Sequence, residues 1–297
     1  MSELPHPRSS SGVLLLAAGL AALATARSAA AADPAPAGAR EILSEKFALQ
    51  AAPAPGLQRL AVRELLPGEI KGVSTPLLSI TGPWTYLEPS TPDQDKIYLF
   101  LRGKGTLRAH DQSFPIEDET IARLPVGWPA ELEAPAGAAL HVLVVRRQLE
   151  DRDLAELKKY PDNNAAAYVK KFRDCTPYGE AIKSAKTVSR TLLPENVVPR
   201  TAMGTVETAG PDKVGAHAHP MLDQLFLGLK DHDVTVHADE ASKAMTENTL
   251  LHIPLGSSHW VEVGDGRKLY YVWMDFFESV EGQQWLKMHK PVQQNKP

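Results

Sequence analysis

The sequence predicts an all-β protein made of two similar barrels that a helical connector joins. The chain has 297 residues, of which 43% are hydrophobic and 23% charged, so it can bury one large core or two smaller ones. Short runs rich in β-branched and aromatic residues alternate with Gly, Pro, Asp and Asn, a pattern typical of antiparallel sandwiches and barrels. The order of these runs occurs twice, and this repeat predicts the second barrel.

Each copy of the repeat contains three strand-like runs, at residues 96–102, 106–108 and 120–127 in the first copy and at residues 224–230, 234–236 and 249–256 in the second. Corresponding residues lie about 128 positions apart. Similarity at a fixed separation indicates a duplicated structural unit. We therefore expect an N-terminal barrel over residues 57–147 and a C-terminal barrel over residues 187–280.

The N-terminal segment is expected to lie outside both barrels. One arginine precedes an apolar run over residues 12–26, and small residues follow to an Ala-Ala-Ala site ending at residue 32. An Ala-Thr-Ala sequence at residues 24–26 is a competing cleavage site. These are the parts of a secretory signal peptide. We interpret residues 1–32 as the signal peptide of an exported (periplasmic or secreted) protein, and the Ala- and Pro-rich residues 33–56 as a linker.

Composition excludes several classes of partner. The 32 basic and 36 acidic residues give a net charge of −4, whereas nucleic acids and anionic membranes bind basic surfaces. The single cysteine, Cys175, excludes a disulfide framework and any zinc cluster built from cysteines. The apolar run of the leader is shorter than the roughly 20 residues that span a bilayer, so no membrane span is expected in the mature chain. The expected partner is a small-molecule substrate.

The segment between the repeats, residues 148–186, has the periodicity of helices. Apolar residues recur at helical spacing over residues 149–160 and again over residues 163–172, with Pro161 between the two runs. The sequence therefore predicts a helical connector with two helices. Residues 281–297 are expected to form a C-terminal tail.

The residues that can carry chemistry concentrate in the second repeat. His217 and His219 are two positions apart, so on a strand both imidazoles point to the same face. Gln224 begins a strongly apolar strand, and His259 follows a Pro-Gly turn into the next strand. Antiparallel neighbours can bring these four side chains together. Three imidazoles and an amide oxygen form a ligand set suited to Fe, Mn, Ni, Cu or Zn.

This order of residues resembles the two motifs of the cupin superfamily, which read His-x-His, four residues, an acid or amide, and later Pro-x-Gly-x-x-His. The resemblance covers residues 57–280 and implies a bicupin, with two barrels of the double-stranded β-helix, or jelly-roll, type. It implies that His217, His219, Gln224 and His259 bind one divalent transition metal ion, with Fe, Mn, Zn and Ni as the expected identities. Glu is usual where Gln224 stands. Asp223 lies beside it, but adjacent strand residues face opposite sides, so Gln224 is the preferred ligand.

The first repeat tests this assignment. With the 128-residue separation, His217, His219 and Gln224 correspond to Pro89, Thr91 and Lys96. With a one-residue gap before Thr120, His259 corresponds to Ala130. These residues cannot bind a metal ion, and an ammonium group repels one. The N-terminal barrel is therefore expected to lack metal ligands and to serve a structural role, covering a sheet face or forming the surface of a homodimer.

Other residues of the second repeat are weaker candidates. Glu207, on the strand before His217, is the candidate catalytic acid or base. A second shell or pocket is predicted from Asp223, His252, Tyr271, Trp273 and Asp275. The last three alternate along one strand, and packing between the barrels is the alternative for them. His232 is expected to face solvent near a turn.

These observations favour an exported, metal-dependent enzyme for a small polar metabolite. Three neutral imidazoles and a neutral amide leave the ion its full charge, which favours an anionic substrate. The reaction class stays open between dioxygenase chemistry and isomerase, lyase or hydrolase chemistry, in which the ion acts as a Lewis acid. The alternative is a non-catalytic sugar or small-acid binding protein with a structural metal or none, because one fold serves many functions.

Overall fold

The computed structural model describes residues 41–49, 59–194, 196–279 and 282. The predicted leader, on which the expectation of export rests, lies outside these residues. Within them the protein is almost entirely β, as the sequence predicts. No helix among the described residues is long and apolar enough to cross a membrane.

The N-terminal barrel follows a short strand, β1 (Ser44–Lys46). Its own strands are β2 (Leu60–Glu64), β3 (Val73–Ser74), β4 (Pro76–Thr81), β5 (Trp84–Glu88), β6 (Gln94–Arg102), β7 (Gly105–Ala109), β8 (Gln112–Ile116), β9 (Thr120–Arg123), β10 (Ala130–Ala134) and β11 (Ala139–Gln148). They form a small sheet, β5-β10-β7-β8, that faces a large sheet containing β9-β6-β11-β4-β2, with β3 also on β11. Apolar side chains of both sheets fill the space between them.

The connector contains one helix where two were predicted. Helix α1 (Asp151–Lys159) begins with a capping box, in which the Asp153 carboxylate accepts the Glu150 backbone N–H at 2.9 Å. A 3₁₀ turn then leads into the strands β12 (Tyr168–Lys171) and β13 (Thr176–Tyr178). The prediction of a second helix over residues 163–172 is therefore wrong. Strand β12 pairs with β9, and this long-range pairing overrides a local pattern that also fits a helix.

The C-terminal barrel repeats the first. Its strands are β14 (Val188–Thr191), β15 (Thr201–Ala209), β16 (Asp212–Ala218), β17 (Leu222–Gly228), β18 (Asp233–Ala238), β19 (Ala241–Thr246), β20 (Thr249–Ile253), β21 (Ser258–Val263) and β22 (Lys268–Phe277). The small sheet is β16-β21-β18-β19, and the large sheet is β1-β20-β17-β22-β15-β14-β13. The order of the strands matches that of the first barrel.

The two barrels exchange their outermost strands. Strand β1 precedes the first barrel in sequence but pairs with β20 of the second, through Ser44 opposite Leu251. Strand β12 precedes the second barrel in sequence but pairs with β9 of the first. Part of the segment predicted as a linker, residues 33–56, is therefore a strand of the distant barrel. A shared apolar core also joins the large sheets, with Leu99 and Leu143 from one barrel and Leu227 and Val272 from the other.

Alternation along β17 decides which side chains reach the interior of the second barrel. Phe226 belongs to the core inside this barrel, whereas Leu225 and Leu227 belong to the core between the barrels. Gln224 lies two positions from Phe226, on the same face of the strand, and therefore faces inward. Asp223 has the parity of Leu225 and faces outward, as the sequence predicts.

His232 lies in the interior, contrary to the expectation that it faces solvent. Its side chain is buried, and Nδ1 accepts the Tyr270 backbone N–H at 3.0 Å. Burial lowers the pKa of His232 to about 3, because the charged imidazolium loses its hydration there. The ring is therefore neutral in the folded protein at neutral pH.

Candidate metal centre

Three buried histidines converge inside the second barrel. His217 on β16 lies directly opposite His259 on β21, and a register irregularity between Val214 and His217 bends the strand at this point. His219 follows the end of β16. One ring nitrogen from each histidine lies within 4.8 Å of the other two. The structure thus brings together the three imidazoles that the sequence singled out.

Backbone carbonyls orient two of these rings. Nδ1 of His217 lies 2.8 Å from the Gly215 carbonyl oxygen, and Nδ1 of His259 lies 3.2 Å from the Ser257 carbonyl oxygen. A ring that donates Nδ1–H to a carbonyl carries its lone pair on Nε2. This tautomer is the one that a metal ligand needs.

Gln224 supplies an oxygen to the same region. Its Nε2 donates to Asp275 Oδ1 at 2.6 Å, and this bond fixes which end of the amide is oxygen. Oε1 is buried and has no hydrogen-bond partner among the described residues. A buried acceptor without a donor is costly unless a ligand occupies it, so the amide oxygen is suited to bind a cation.

The donor set fits one divalent transition metal ion. Three nitrogens spaced equally around one ion at about 2.1 Å lie at most about 3.6 Å apart. Three atoms 4.8 Å apart lie about 2.8 Å from their common centre, so a shift of less than an ångström by each ring brings all three onto one ion. Three imidazoles and an amide oxygen match the preference of Fe, Mn, Zn and Ni for mixed nitrogen and oxygen ligands.

His217, His219 and Gln224 line a cavity of about 330 Å³, and His259 lies beside the two histidines. Tyr271, Trp273 and Asp275 of β22 also line it. Asp275 is fully buried, and its pKa is raised to about 7, chiefly because burial penalises the carboxylate. The negative charge of Glu180 acts in the same direction, whereas the Gln224 amide and Lys183 oppose the shift.

The wall of this cavity includes connector residues that sequence analysis missed. Tyr178, Glu180 and Lys183 come from the connector and line the cavity together with Gln224, His217 and His219. The Lys183 ammonium pairs with the Glu180 carboxylate and donates to Ser189 Oγ at 3.1 Å. Burial lowers the pKa of Lys183. A motif search could not find these residues, because only the tertiary fold places the connector against the barrel.

Three predicted site residues lie elsewhere. Glu207 faces away from the barrel interior, since its neighbour Val206 faces inward, and it pairs with Lys268 at 2.9 Å. It therefore has no part in the chemistry of this cavity, which corrects the sequence assignment. His252 contacts Glu69 of the first barrel, with Nδ1 at 2.7 Å from Oε1, and its Nε2 lies 3.5 Å from Asp223 Oδ1. Both residues belong to the contact between the barrels.

The first barrel holds an ion-pair cluster at the corresponding position. In the strand register, Glu88 lies opposite Ala130, as His217 lies opposite His259 in the second barrel. Lys96 likewise lies opposite Arg146, as Gln224 lies opposite Asp275. The Glu88 carboxylate lies 3.1 Å from Lys96 Nζ and 2.9 Å from an Arg146 nitrogen. The counterpart of His217 is thus Glu88 rather than Pro89, because the separation of the repeats grows to 129 residues here.

Replacing Lys96 by Met should leave the metal content of the protein unchanged, because its side chain belongs to the first barrel. The substitution should lower the free energy of unfolding by about 2 kcal/mol, since it removes one partner of the buried Glu88 carboxylate while Arg146 remains. Elemental analysis and urea denaturation measure the two quantities. A halved metal content would reveal a second site in the first barrel.

Comparison with known proteins supports the fold. No family model matches the chain, and no curated protein matches it by sequence. Among solved structures, a cupin 2 conserved barrel domain protein from Leptotrichia buccalis superposes with a TM-score of 0.55 at 13% identity, covering 81% of this chain and 99% of its own. A deletion mutant of oxalate decarboxylase from Bacillus subtilis gives a TM-score of 0.56 at 13% identity, covering 86% and 83%.

A vicilin from hazelnut, Corylus avellana, also superposes, with a TM-score of 0.54 at 10% identity over 73% of this chain and 83% of its own. The similar structures thus include both an oxalate decarboxylase and a vicilin. The superpositions establish the fold. Because the sequence identities are this low, the activity has to be argued from the residues of the site. The chain therefore has the cupin fold, as two jelly-roll barrels joined by a connector.

Proposed function

We propose that the C-terminal barrel is a metal-dependent active site for a small, polar, anionic metabolite. His217, His219, His259 and Gln224 would hold one divalent transition metal ion, of which Fe, Mn, Zn and Ni all suit the donor set. The observation that supports this most is the cluster of three buried imidazoles, two of which line the same cavity as an unpartnered amide oxygen. Export, inferred from residues 1–32, is part of the same proposal.

The charge of the ligand set indicates the kind of substrate. Imidazole and amide ligands are neutral, so a bound divalent ion keeps its full charge and attracts a carboxylate or enolate oxygen. When bound, the ion would supply a Lewis acid or, for a redox-active metal, an electron carrier. Asp275 keeps the Gln224 amide in the orientation that presents its oxygen. Phe226 and Tyr271 contribute apolar surface to the wall of the cavity.

Metal analysis of the purified protein tests the proposal directly. We expect about one transition metal ion per chain, removable by a chelator and restored by adding the metal back. Oxygen uptake with candidate acids would then indicate dioxygenase chemistry, and turnover under anaerobic conditions would indicate isomerase, lyase or hydrolase chemistry. A protein that takes up no metal, or that retains ligands without turnover, would favour the alternative of a binding protein.

Exchanging Gln224 for Glu tests the neutral ligand set. Because the Asp275 carboxylate now accepts the amide N–H, the single change would place two carboxyl groups together, so the informative variant is Gln224→Glu with Asp275→Asn, which restores a donor. We expect metal binding to be kept or tightened, because the double change moves a negative charge from position 275 onto the ligand set itself. The affinity for butyrate, measured by calorimetry, should fall roughly tenfold, because an ion bound by a carboxylate attracts a second carboxylate less strongly.

Asp223→Asn is the matched control, since it removes a carboxylate one residue away that faces the other barrel. It should change neither the metal content nor butyrate binding. If Asp223→Asn instead strips the metal while the Gln224 variant behaves as the wild type, the neutral-site interpretation is wrong.

A further inference from the structure

Tyr178 reaches the cavity from outside the barrel strands that carry the histidines. It is the last residue of β13, the edge strand of the large sheet, and its backbone pairs with Ser189 on β14. Its ring lines the cavity together with His217, His219 and Gln224. Tyr178 and two of the candidate metal ligands among the histidines therefore share one cavity.

The Tyr178 hydroxyl accepts two hydrogen bonds, and its own O–H remains available as a donor. The phenolic oxygen accepts the indole N–H of Trp273 at 3.1 Å and the Lys183 ammonium at 3.4 Å. A phenol can accept such bonds and also donate one. Among the described residues no acceptor is in reach of this O–H. The oxygen is thus held in place by two donors, while its own hydrogen has no partner.

The surroundings keep that hydrogen on the oxygen. Burial raises the pKa of Tyr178 well above its usual value, and the nearby Glu180 carboxylate raises it further. The phenol is therefore neutral at physiological pH and acts as a donor. Accepting bonds from Trp273 and Lys183 also polarises the O–H, because hydrogen bonds in a chain strengthen one another.

The charges around Tyr178 favour a neutral partner for its O–H. The Lys183 ammonium is paired with the Glu180 carboxylate, so the two charges offset each other at this wall. A carboxylate placed here would also approach the Glu180 carboxylate, which lines the same wall of the cavity. A carbonyl or amide oxygen meets no such repulsion.

We propose that Tyr178 is a ligand-binding residue that donates a hydrogen bond to a neutral carbonyl or amide oxygen of the substrate. This inference rests on the proposed function, in which a carboxylate of the same molecule faces the histidines. The substrate class is then a small acid with a neutral oxygen acceptor at its other end. The cavity of about 330 Å³ limits it to a compact molecule.

Two probes of equal chain length separate this contact from carboxylate binding. Butyrate ends in a methyl group, and succinamate carries an amide in its place. With metal-loaded protein, calorimetry should give a three- to tenfold tighter dissociation constant for succinamate, the range that one neutral hydrogen bond provides. Tyr178→Phe removes only the hydroxyl and should abolish this preference, while butyrate affinity and metal content stay unchanged.

Tyr86→Phe is the control, because Tyr86 is a phenol of the first barrel that donates to Glu88 at 2.9 Å. It should keep the full preference. If Tyr178→Phe also keeps it, or if the metal-loaded wild type binds both probes equally, the role of Tyr178 is refuted and the metal site stands. A wild-type protein that takes up no metal would refute the proposed function itself, and this inference with it.

Discussion

Replacing any one of His217, His219 and His259 by Ala is expected to release the metal ion and leave both barrels folded. Each imidazole supplies one of four ligands, and a structural zinc site of four ligands contributes about 10–16 kcal/mol, so one ligand is worth roughly 3 kcal/mol, or more than a hundredfold in affinity. The core of this barrel consists of apolar side chains such as Val236 and Leu251, which the substitutions do not touch.

Elemental analysis and the metal dependence of the melting temperature measure the effect. Added metal should raise the melting temperature of the wild type, because a ligand that binds only the folded state stabilises it, and should not raise that of the variants. His237→Ala is the matched control, since His237 lies in the same small sheet and stacks on Trp260 away from the triad. Full metal content in all three variants would contradict the ligand assignment.

Acidification should destabilise the metal-free protein strongly through His232. Its pKa is about 3 in the folded state and about 6.5 in an unfolded chain, so between these values the unfolded chain binds a proton that the folded protein does not. Stability is therefore complete above pH 6.5 and falls as the pH drops towards 3. The slope is about 1.4 kcal/mol per pH unit for this one group.

His232→Asn isolates that contribution. Asn has an oxygen that can accept the Tyr270 N–H but does not titrate. Urea denaturation at pH 7, 6 and 5 should show the difference between wild type and variant changing by about 1.4 kcal/mol per unit below pH 6.5. The same substitution at the exposed His110 controls for the exchange itself. Parallel pH curves for the wild type and His232→Asn would show that His232 is not the cause.

The sequence predicts the barrels and the triad because both depend on local patterns. Short apolar runs between turn residues are a property of each strand, and the spacing of His217 and His219 puts both rings on one face. The strand that carries His259 must return beside them for the barrel to close. The parity of β17 likewise favours Gln224 over Asp223, and the structure places the two side chains on opposite faces.

The features that the sequence analysis missed all depend on distant contacts. Strand β12 has a local pattern that fits a helix, and only its pairing with β9 makes it extended. Tyr178 and Lys183 lie in a polar segment without periodicity, and only packing against the barrel brings them to the cavity. His232 follows a turn, where exposure is the usual outcome, yet the fold covers it. Glu207 lies next to the inward-facing Val206 and therefore faces outward, and the alternation along this strand becomes clear only in the structure.

The exchanged outer strands determine where the gene can be cut for expression. A fragment limited to residues 187–280 would contain the candidate metal ligands but would lack β1, and so would leave the β20 edge of the large sheet unpaired. It would also expose the apolar face that the first barrel covers. Open edges and bare apolar faces lead to intermolecular pairing, so such a fragment would aggregate. A soluble fragment with the intact centre therefore has to begin before Ile42 and to include the first barrel.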